Sequence, residues 1–276
     1  MTSATKSWQD ATQMFDLSDR VAIVTGAGTG IGAACARMLA VHGASVVLAS
    51  RNLGRLEVVA SEISAVTGRV CVPHATNVKD EGDCVALVAS TIERFGRIDV
   101  LVNNAGGVRF GSLLELPAKA WDSVHELNVR GPFMLTREVG RHMVANRAGS
   151  IVNIGSSAGA HGTIGGAHYS SAKAGLHVLT RVVAAELGPY GVRCNCVSPS
   201  APIISENVAE AMENGNMDGD KIAKDIPLRR LGVPDEIAWP VLFFASDASS
   251  YVNGQTLEVD GGPSRLYGSI EPAENG

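Results

Sequence analysis

The chain has 276 residues, 45% of them hydrophobic and 18% charged, with a formal net charge of −5. That length suits one domain with a large core, and the composition excludes a disordered chain. Basic residues form no run beyond the Arg229-Arg230 doublet, which argues against nucleic acid as a partner. Met1–Asp16 is polar, lacks the apolar stretch of a signal peptide, and reads as a flexible N-terminal tail. Val21–Thr25 is an apolar run closed by glycines, the mark of a buried strand. Ile31–Val41 then carries Ile31, Cys35, Met38 and Leu39 at helical spacing, stopped by His42-Gly43. Ser45–Ala49 reads as strand, Leu53–Val66 as helix stopped near Gly68, Arg69–Pro73 as a weaker strand, and Asp80 to Phe95 as helix. The unit recurs with strand Val100–Asn103, one long helix from Ala118 to Ala145, strand Ser150–Ile154, and a helix from Tyr169 to Leu187. Val192–Val197 and Thr256–Val259 supply the last strands.

Strands that are apolar throughout and alternate with helices predict a parallel sheet covered on both faces. The fold class is α/β, a doubly wound single domain spanning 17–263, with 264–276 as a C-terminal tail. Residues 200–228 break the rhythm. Ser205–Lys224 is acidic and polar, with Met212, Met217 and turn-forming Asn-Gly and Asp-Gly pairs. It reads as a substrate lid, because it follows a strand's carboxyl end, where ligands bind; the alternative is a solvated helical excursion. The five cysteines (Cys35, Cys71, Cys84, Cys194, Cys196) are odd in number and spread out, which indicates a reducing, cytoplasmic compartment. Cys194-Asn195-Cys196 is too tightly spaced for an ordinary zinc site, so no metal is expected. No stretch of 18 apolar residues exists, so no membrane span is expected.

Thr25-Gly26-Ala27-Gly28-Thr29-Gly30-Ile31-Gly32 stands between the first strand and the first helix. Glycines there let a backbone approach a pyrophosphate, and the following helix offers free N–H groups and the positive end of its dipole. At the end of the second strand an acidic residue would pair with a ribose 2′-hydroxyl. Ser50 occupies that place and Arg51 follows. Loss of the carboxylate and gain of a planar guanidinium suit a 2′-phosphate, which favours NADP(H) over NAD(H).

Tyr169 and Lys173 lie four apart, on one face of a helix. A free tyrosine has a pKa near 10, and a neighbouring ammonium favours its phenolate. Ser156, at the end of the fifth strand, can hold a substrate oxygen while Tyr169 moves the proton. Asn103-Asn104-Ala105-Gly106 follows the fourth strand, and Asn128 lies within the long helix. His168 reads as a surface or interface residue, and Arg109 as either a surface charge or part of a pocket mouth. The small apolar face at Ala172, Ala174, Gly175 and Leu176 fits core packing or a subunit contact.

Thr25–Gly32, Asn103–Gly106, Asn128, Ser156 and Tyr169-x3-Lys173, in that order and spacing, resemble the short-chain dehydrogenase/reductase family. The likeness runs from Leu17 to Gly262. It implies a seven-stranded Rossmann fold, a homotetramer, and NAD(P)-dependent carbonyl/alcohol interconversion. By resemblance Tyr169 is the general acid/base, Lys173 lowers its pKa and binds the nicotinamide ribose, Ser156 orients the substrate oxygen, and Asn128 holds a relay water. Asn104, Ala105 and Gly106 line the adenosine side. Asn77-Val78 stands near the adenine, with Asn77 where the family usually has aspartate. Pro199-Ser200-Ala201-Pro202-Ile203 departs from the family's Pro-Gly pattern, as a Gly→Ser change or a one-residue insertion, with Ile203 as the contact to the nicotinamide carboxamide. The pattern is similar to bacterial 3-oxoacyl-thioester reductases, and also resembles the peroxisomal enoyl-thioester reductase branch; the first implies a carbonyl substrate on acyl-CoA or acyl carrier protein. Enoyl-thioester reduction, steroid or alcohol oxidation, and a non-catalytic dinucleotide sensor are the alternatives.

Overall fold

A computed structural model describes residues 13–200, 203–204 and 206–262. The predicted tails lie outside it, except that residues 13–15 form one 3-10 turn and Asp16 accepts from the Ser18 N–H at 2.9 Å. Seven strands form one parallel sheet: β1 Val21–Thr25, β2 Ser45–Ser50, β3 Cys71–Ala75, β4 Val100–Asn103, β5 Gly149–Ile154, β6 Val192–Pro199 and β7 Thr256–Val259. Their order is β3-β2-β1-β4-β5-β6-β7. The direction of winding reverses between β1 and β4, and the crevice beyond their carboxyl ends is where such sheets take ligands.

Alternate strand residues feed two cores. Ala22, Val24, Val100 and Val102 pack under α1 (Gly30–Val41), α2 (Leu53–Thr67) and a C-terminal helix. Ile23, Leu101 and Ile151 face α3 (Glu81–Phe95) and a longer helix behind β4. The helix ends follow from local chemistry. Asn52 caps α2 by accepting from the Arg55 N–H at 3.1 Å, and Gly68 ends it in the left-handed region at φ 67°. Asp80 caps α3 in the same way.

Several elements differ from the expectation. β3 begins two residues later than read from the sequence, because Arg69 closes the turn onto Thr67 Oγ1 and pairing with β2 starts at Cys71. The single helix expected over Ala118 to Ala145 is α4 (Ala118–His125), a π-helical turn over Glu126–Arg130, and α5 (Gly131–Asn146). After α6 (Ser157–His161) and α7 (Ala167–Leu187), the 200–228 region holds α8 (Glu206–Glu213) and α9 (Gly219–Asp225). A further helix, α10 (Pro234–Ala245), was not expected at all. Pro240 inside an almost wholly apolar run hides its period, although Pro234 at its first position and the Glu236 carboxylate accepting from the Val233 N–H at 3.0 Å are sound start signals.

Candidate active site

The glycine loop joins β1 to α1. Gly26 and Gly30 sit in the left-handed region at φ 66° and 53°. A Cβ on Gly32 would lie 2.2 Å from the Gly26 carbonyl oxygen and 2.5 Å from Asn104 Nδ2. The loop is thus a cradle only glycines can form. Thr29 begins α1 without a side-chain cap, and no acidic residue stands in the first turn. Free N–H groups and the dipole therefore point at the crevice, as a pyrophosphate requires.

Asn104 joins the two halves of that crevice. Its Nδ2 donates to the carbonyls of Thr25 (2.9 Å) and Gly26 (3.2 Å), and Thr25 Oγ1 accepts from the Asn104 and Ala105 N–H groups at 3.0 Å each. The side chain expected to line the adenosine is a staple that holds the β4 loop against the glycines. Asn77 Oδ1 accepts from the Lys79 N–H at 3.3 Å, and its own N–H donates to Asp83 Oδ2 at 2.8 Å. Val78 is buried, with its carbonyl against Gly131 and accepting from Cys84 Sγ.

Ser50 Oγ would stand 3.5 Å from a Cβ on Gly28, so the end of β2 leans on the loop. Arg51 and Arg55 are exposed beside it and have no ion-pair partner among the described residues. Arg55, whose Cβ is 3.3 Å from the same Gly28 position, was missed in the sequence. It stands in the first turn of α2, four residues after Arg51, which precedes the Asn52 cap.

At the end of β5, Ser156 caps α6, its Oγ accepting from the Ala158 N–H at 3.2 Å. Lys173 is buried, and its Nζ donates to the Ile154 carbonyl at 2.7 Å, 5.7 Å from the centre of the Tyr169 ring. Burial brings the Lys173 pKa down to about 8. Burial also raises the Tyr169 pKa, and the hydrogen bond from Ser156 opposes that rise. The depression expected from the sequence is therefore absent in the chain alone. The ammonium is turned to a backbone carbonyl, and desolvation of the phenol outweighs Ser156.

Asn128 sits in the π turn, fully buried. Its Nδ2 donates to the carbonyls of Gly107 (2.9 Å) and Val124 (3.0 Å), and its Oδ1 accepts from the Gly107 N–H at 3.2 Å. The side chain clamps the Gly107 loop, with both amide hydrogens engaged and one lone pair of Oδ1 left over. A Cβ on Gly106 would fall 2.9 Å from Asn128 Oδ1 and 3.4 Å from Lys173 Nζ, which shows how closely the β4 loop, the π turn and α7 meet. Beneath them, Asn103 Nδ2 donates to Asn153 Oδ1 (2.9 Å), and Asn153 Nδ2 to Thr180 Oγ1 (2.9 Å). This buried ladder was not anticipated, because polar residues inside strands carry no period of their own.

His168 is buried, not at the surface as expected. Its Nε2–H donates to the Arg109 carbonyl at 3.1 Å and ties the β4 loop to the start of α7, leaving the Arg109 side chain exposed. The helical wheel placed it off the Tyr169/Lys173 face correctly, but a loop covers that side. Ser200 Oγ accepts from Ser157 Oγ at 2.8 Å, so the departure after Pro199 joins the β6 loop to the Ser156 turn. Ile203 bridges to Gly232, with the Ile204 N–H donating to the Gly232 carbonyl at 2.9 Å; Ala201, Pro202 and Ser205 lie outside the described residues.

A phenol, a hydroxyl and an ammonium converging at strand ends, beside a dinucleotide cradle, can move a proton to or from a substrate oxygen while a nicotinamide exchanges hydride. Comparison with known proteins agrees. A family model described as enoyl-(acyl carrier protein) reductase matches residues 26–264. A 3-oxoacyl-acyl-carrier-protein reductase of Synechocystis is 40% identical, over 90% of this chain and 98% of its own. A peroxisomal 2,4-dienoyl-CoA reductase of Danio rerio is 39% identical, over 89% and 82%. The crystal structure of a short-chain type dehydrogenase/reductase from Mycobacterium marinum superimposes with a TM-score of 0.84 at 33% identity, covering 91% of this chain and 97% of that one. The chain belongs to the short-chain dehydrogenase/reductase family and is an oxidoreductase.

Proposed function

We propose that this enzyme reduces the ketone of a 3-oxoacyl thioester, carried on coenzyme A or acyl carrier protein, with NADPH as the hydride source. The observation that carries the reading is the complete Ser156, Tyr169 and Lys173 set at the end of β5, beside the glycine cradle. When bound, the nicotinamide supplies the hydride. Ser156 and Tyr169 hold the substrate oxygen, and Tyr169 gives its proton to the oxygen as negative charge develops there. Lys173, anchored on Ile154, keeps a positive charge beneath the phenol and takes the ribose hydroxyls. The relatives named for thioester reduction support the substrate class. The test is NADPH oxidation with acetoacetyl-CoA, run beside a dienoyl-CoA. Turnover of the ketone supports the reading; turnover of the dienoyl ester alone replaces it with C=C reduction.

The preference for NADPH rests on Ser50, Arg51 and Arg55. Arg51→Ala is expected to raise the KM for NADPH about ten- to a hundredfold, the worth of a charge-assisted contact, and to leave the KM for NADH unchanged. A KM for NADPH unaltered by Arg51→Ala and by Arg55→Ala would refute it.

We further infer that α8 and α9 form a lid over the substrate, hinged where Ile203 bridges to Gly232, and that copies associate into a tetramer through α4, α5 and α7. Phe133, Val178 and Val182 lie exposed along a groove there, with Gly175 at its floor. Among the described residues no helix is long and apolar enough to cross a membrane. Val182→Glu is expected to weaken association a hundredfold or more, since burying an uncompensated charge costs about 3–5 kcal/mol. Sedimentation at a series of concentrations reads this directly, and an unchanged assembly refutes the interface.

A further inference from the structure

His177 lies one turn beyond Lys173 on α7 and is 7% exposed. Its Nε2 has no hydrogen-bond partner. The ring is sunk beneath the turn that carries Ser156. A Cβ on Gly155 would stand 2.5 Å from Nε2, and one on Gly159 would stand 3.0 Å from Cε1. The same Gly155 position is 2.7 Å from Cys196 Sγ. The imidazole thus fills a space that two glycines on either side of Ser156 leave open, wedged between α7, the Ser156 turn and β6. The mechanism proposed above gives this ring no task.

We infer that His177 is a positioning residue whose uncharged ring supports the Ser156 turn from below, and whose protonation displaces Ser156 and Lys173 and stops the reaction. The inference rests on the roles given above to Ser156, Tyr169 and Lys173. The groups facing the ring come from every element packed on it. Lys173 and Arg181 of α7 oppose a positive charge there, and Glu258 of β7 favours one, though its carboxylate also faces His161 of α6 at 3.5 Å. Cys196 of β6 is an un-ionised thiol, its pKa pushed up to about 11 by burial. Gly155 and Gly159 bring no side chain. Burial, with Lys173 next, holds the His177 pKa below the ordinary histidine value, so the ring is neutral near pH 7. A proton taken up below that point has no acceptor at Nε2 and puts a second cation one turn from Lys173. Relief requires the ring to leave its space or Lys173 to leave the Ile154 carbonyl, and either motion disturbs the site.

The experiment is the pH dependence of kcat/KM for ketone reduction between about pH 5 and 8. In this direction Tyr169 works in its protonated form, so it contributes no loss on the acid side. The wild-type enzyme is expected to lose about tenfold per pH unit below a midpoint under the usual histidine value. That midpoint should match the imidazole titration of His177 followed by NMR. His177→Leu and His177→Gln both occupy the space without titrating, and both are expected to lose the acid limb, with kcat at neutral pH reduced only a few-fold. Two variants guard against one that fails to fold, and the NMR midpoint needs neither. An acid limb of unchanged midpoint in the variants, a wild-type profile without one, or an NMR midpoint that disagrees overturns the inference. Failure here with Tyr169→Phe inactive leaves the proposed reaction standing; full activity of Tyr169→Phe overturns the reaction itself.

Discussion

Replacing Tyr169 by phenylalanine is expected to lower kcat for ketone reduction by about 10²–10⁴-fold, the worth of a positioned proton donor. The substitution keeps the half-buried ring against Lys173 and removes only the phenolic oxygen, so cofactor affinity should stay within a few-fold. A second signature comes from direction. Oxidation of the alcohol needs the phenolate, and burial sets the Tyr169 pKa above its ordinary value. The oxidative rate of the wild-type enzyme should therefore climb with pH to the point where the bound cofactor and Lys173 have brought that pKa down, whereas the residual rate of the variant should not. Stopped-flow turnover with cofactor-fluorescence titration measures both. Undiminished turnover by the variant would mean that another group supplies the proton.

Gly32→Ala should cost the dinucleotide about a hundredfold or more in affinity and lower the melting temperature by several degrees. The added Cβ would meet the Gly26 carbonyl at 2.2 Å and Asn104 Nδ2 at 2.5 Å. Neither can yield cheaply, one being backbone and the other held by two carbonyls. Overpacking of this kind costs about 1–3 kcal/mol, and each kcal/mol moves the midpoint of a domain this size by about 2–4 °C. Gly68→Ala is the control. Its φ of 67° makes the change unfavourable, but no atom lies within 4 Å of the new methyl, so stability falls while cofactor affinity holds. Equal affinity loss in both variants would show that the cradle geometry is not what binds the pyrophosphate.

The sheet was legible because its strands are apolar throughout and closed by glycines, a pattern that survives any tertiary detail. Val21–Thr25, Val100–Asn103 and Thr256–Val259 stand where the sequence put them. The Tyr169/Lys173 face was legible for the same reason, since i and i+4 on a helix need only the helix to exist. What escaped depends on contacts between distant segments. His168 is buried by a loop some sixty residues upstream, and the Asn103–Asn153–Thr180 ladder joins three elements. The π turn at Glu126–Arg130 adds a residue to a helix without altering its composition, so periodicity alone passes over it. The contacts of Asn104 and Asn128 escaped in the same sense. Both stand at the crevice as expected, yet their amides are already engaged with carbonyls of neighbouring loops.

The anchoring of Lys173 has a consequence for recognition. A solvent-exposed lysine samples many rotamers, and freezing one costs about 1.5–2 kcal/mol of entropy. Here the stem is buried and the ammonium is already tied to the Ile154 carbonyl before any ligand arrives. That loss falls on the folding equilibrium, not on association, so on the role proposed for Lys173 the ribose meets a charge whose direction is fixed. The chain gives up some fold stability and gains a rigid receptor, and its affinity for dinucleotide should carry a correspondingly smaller unfavourable entropy.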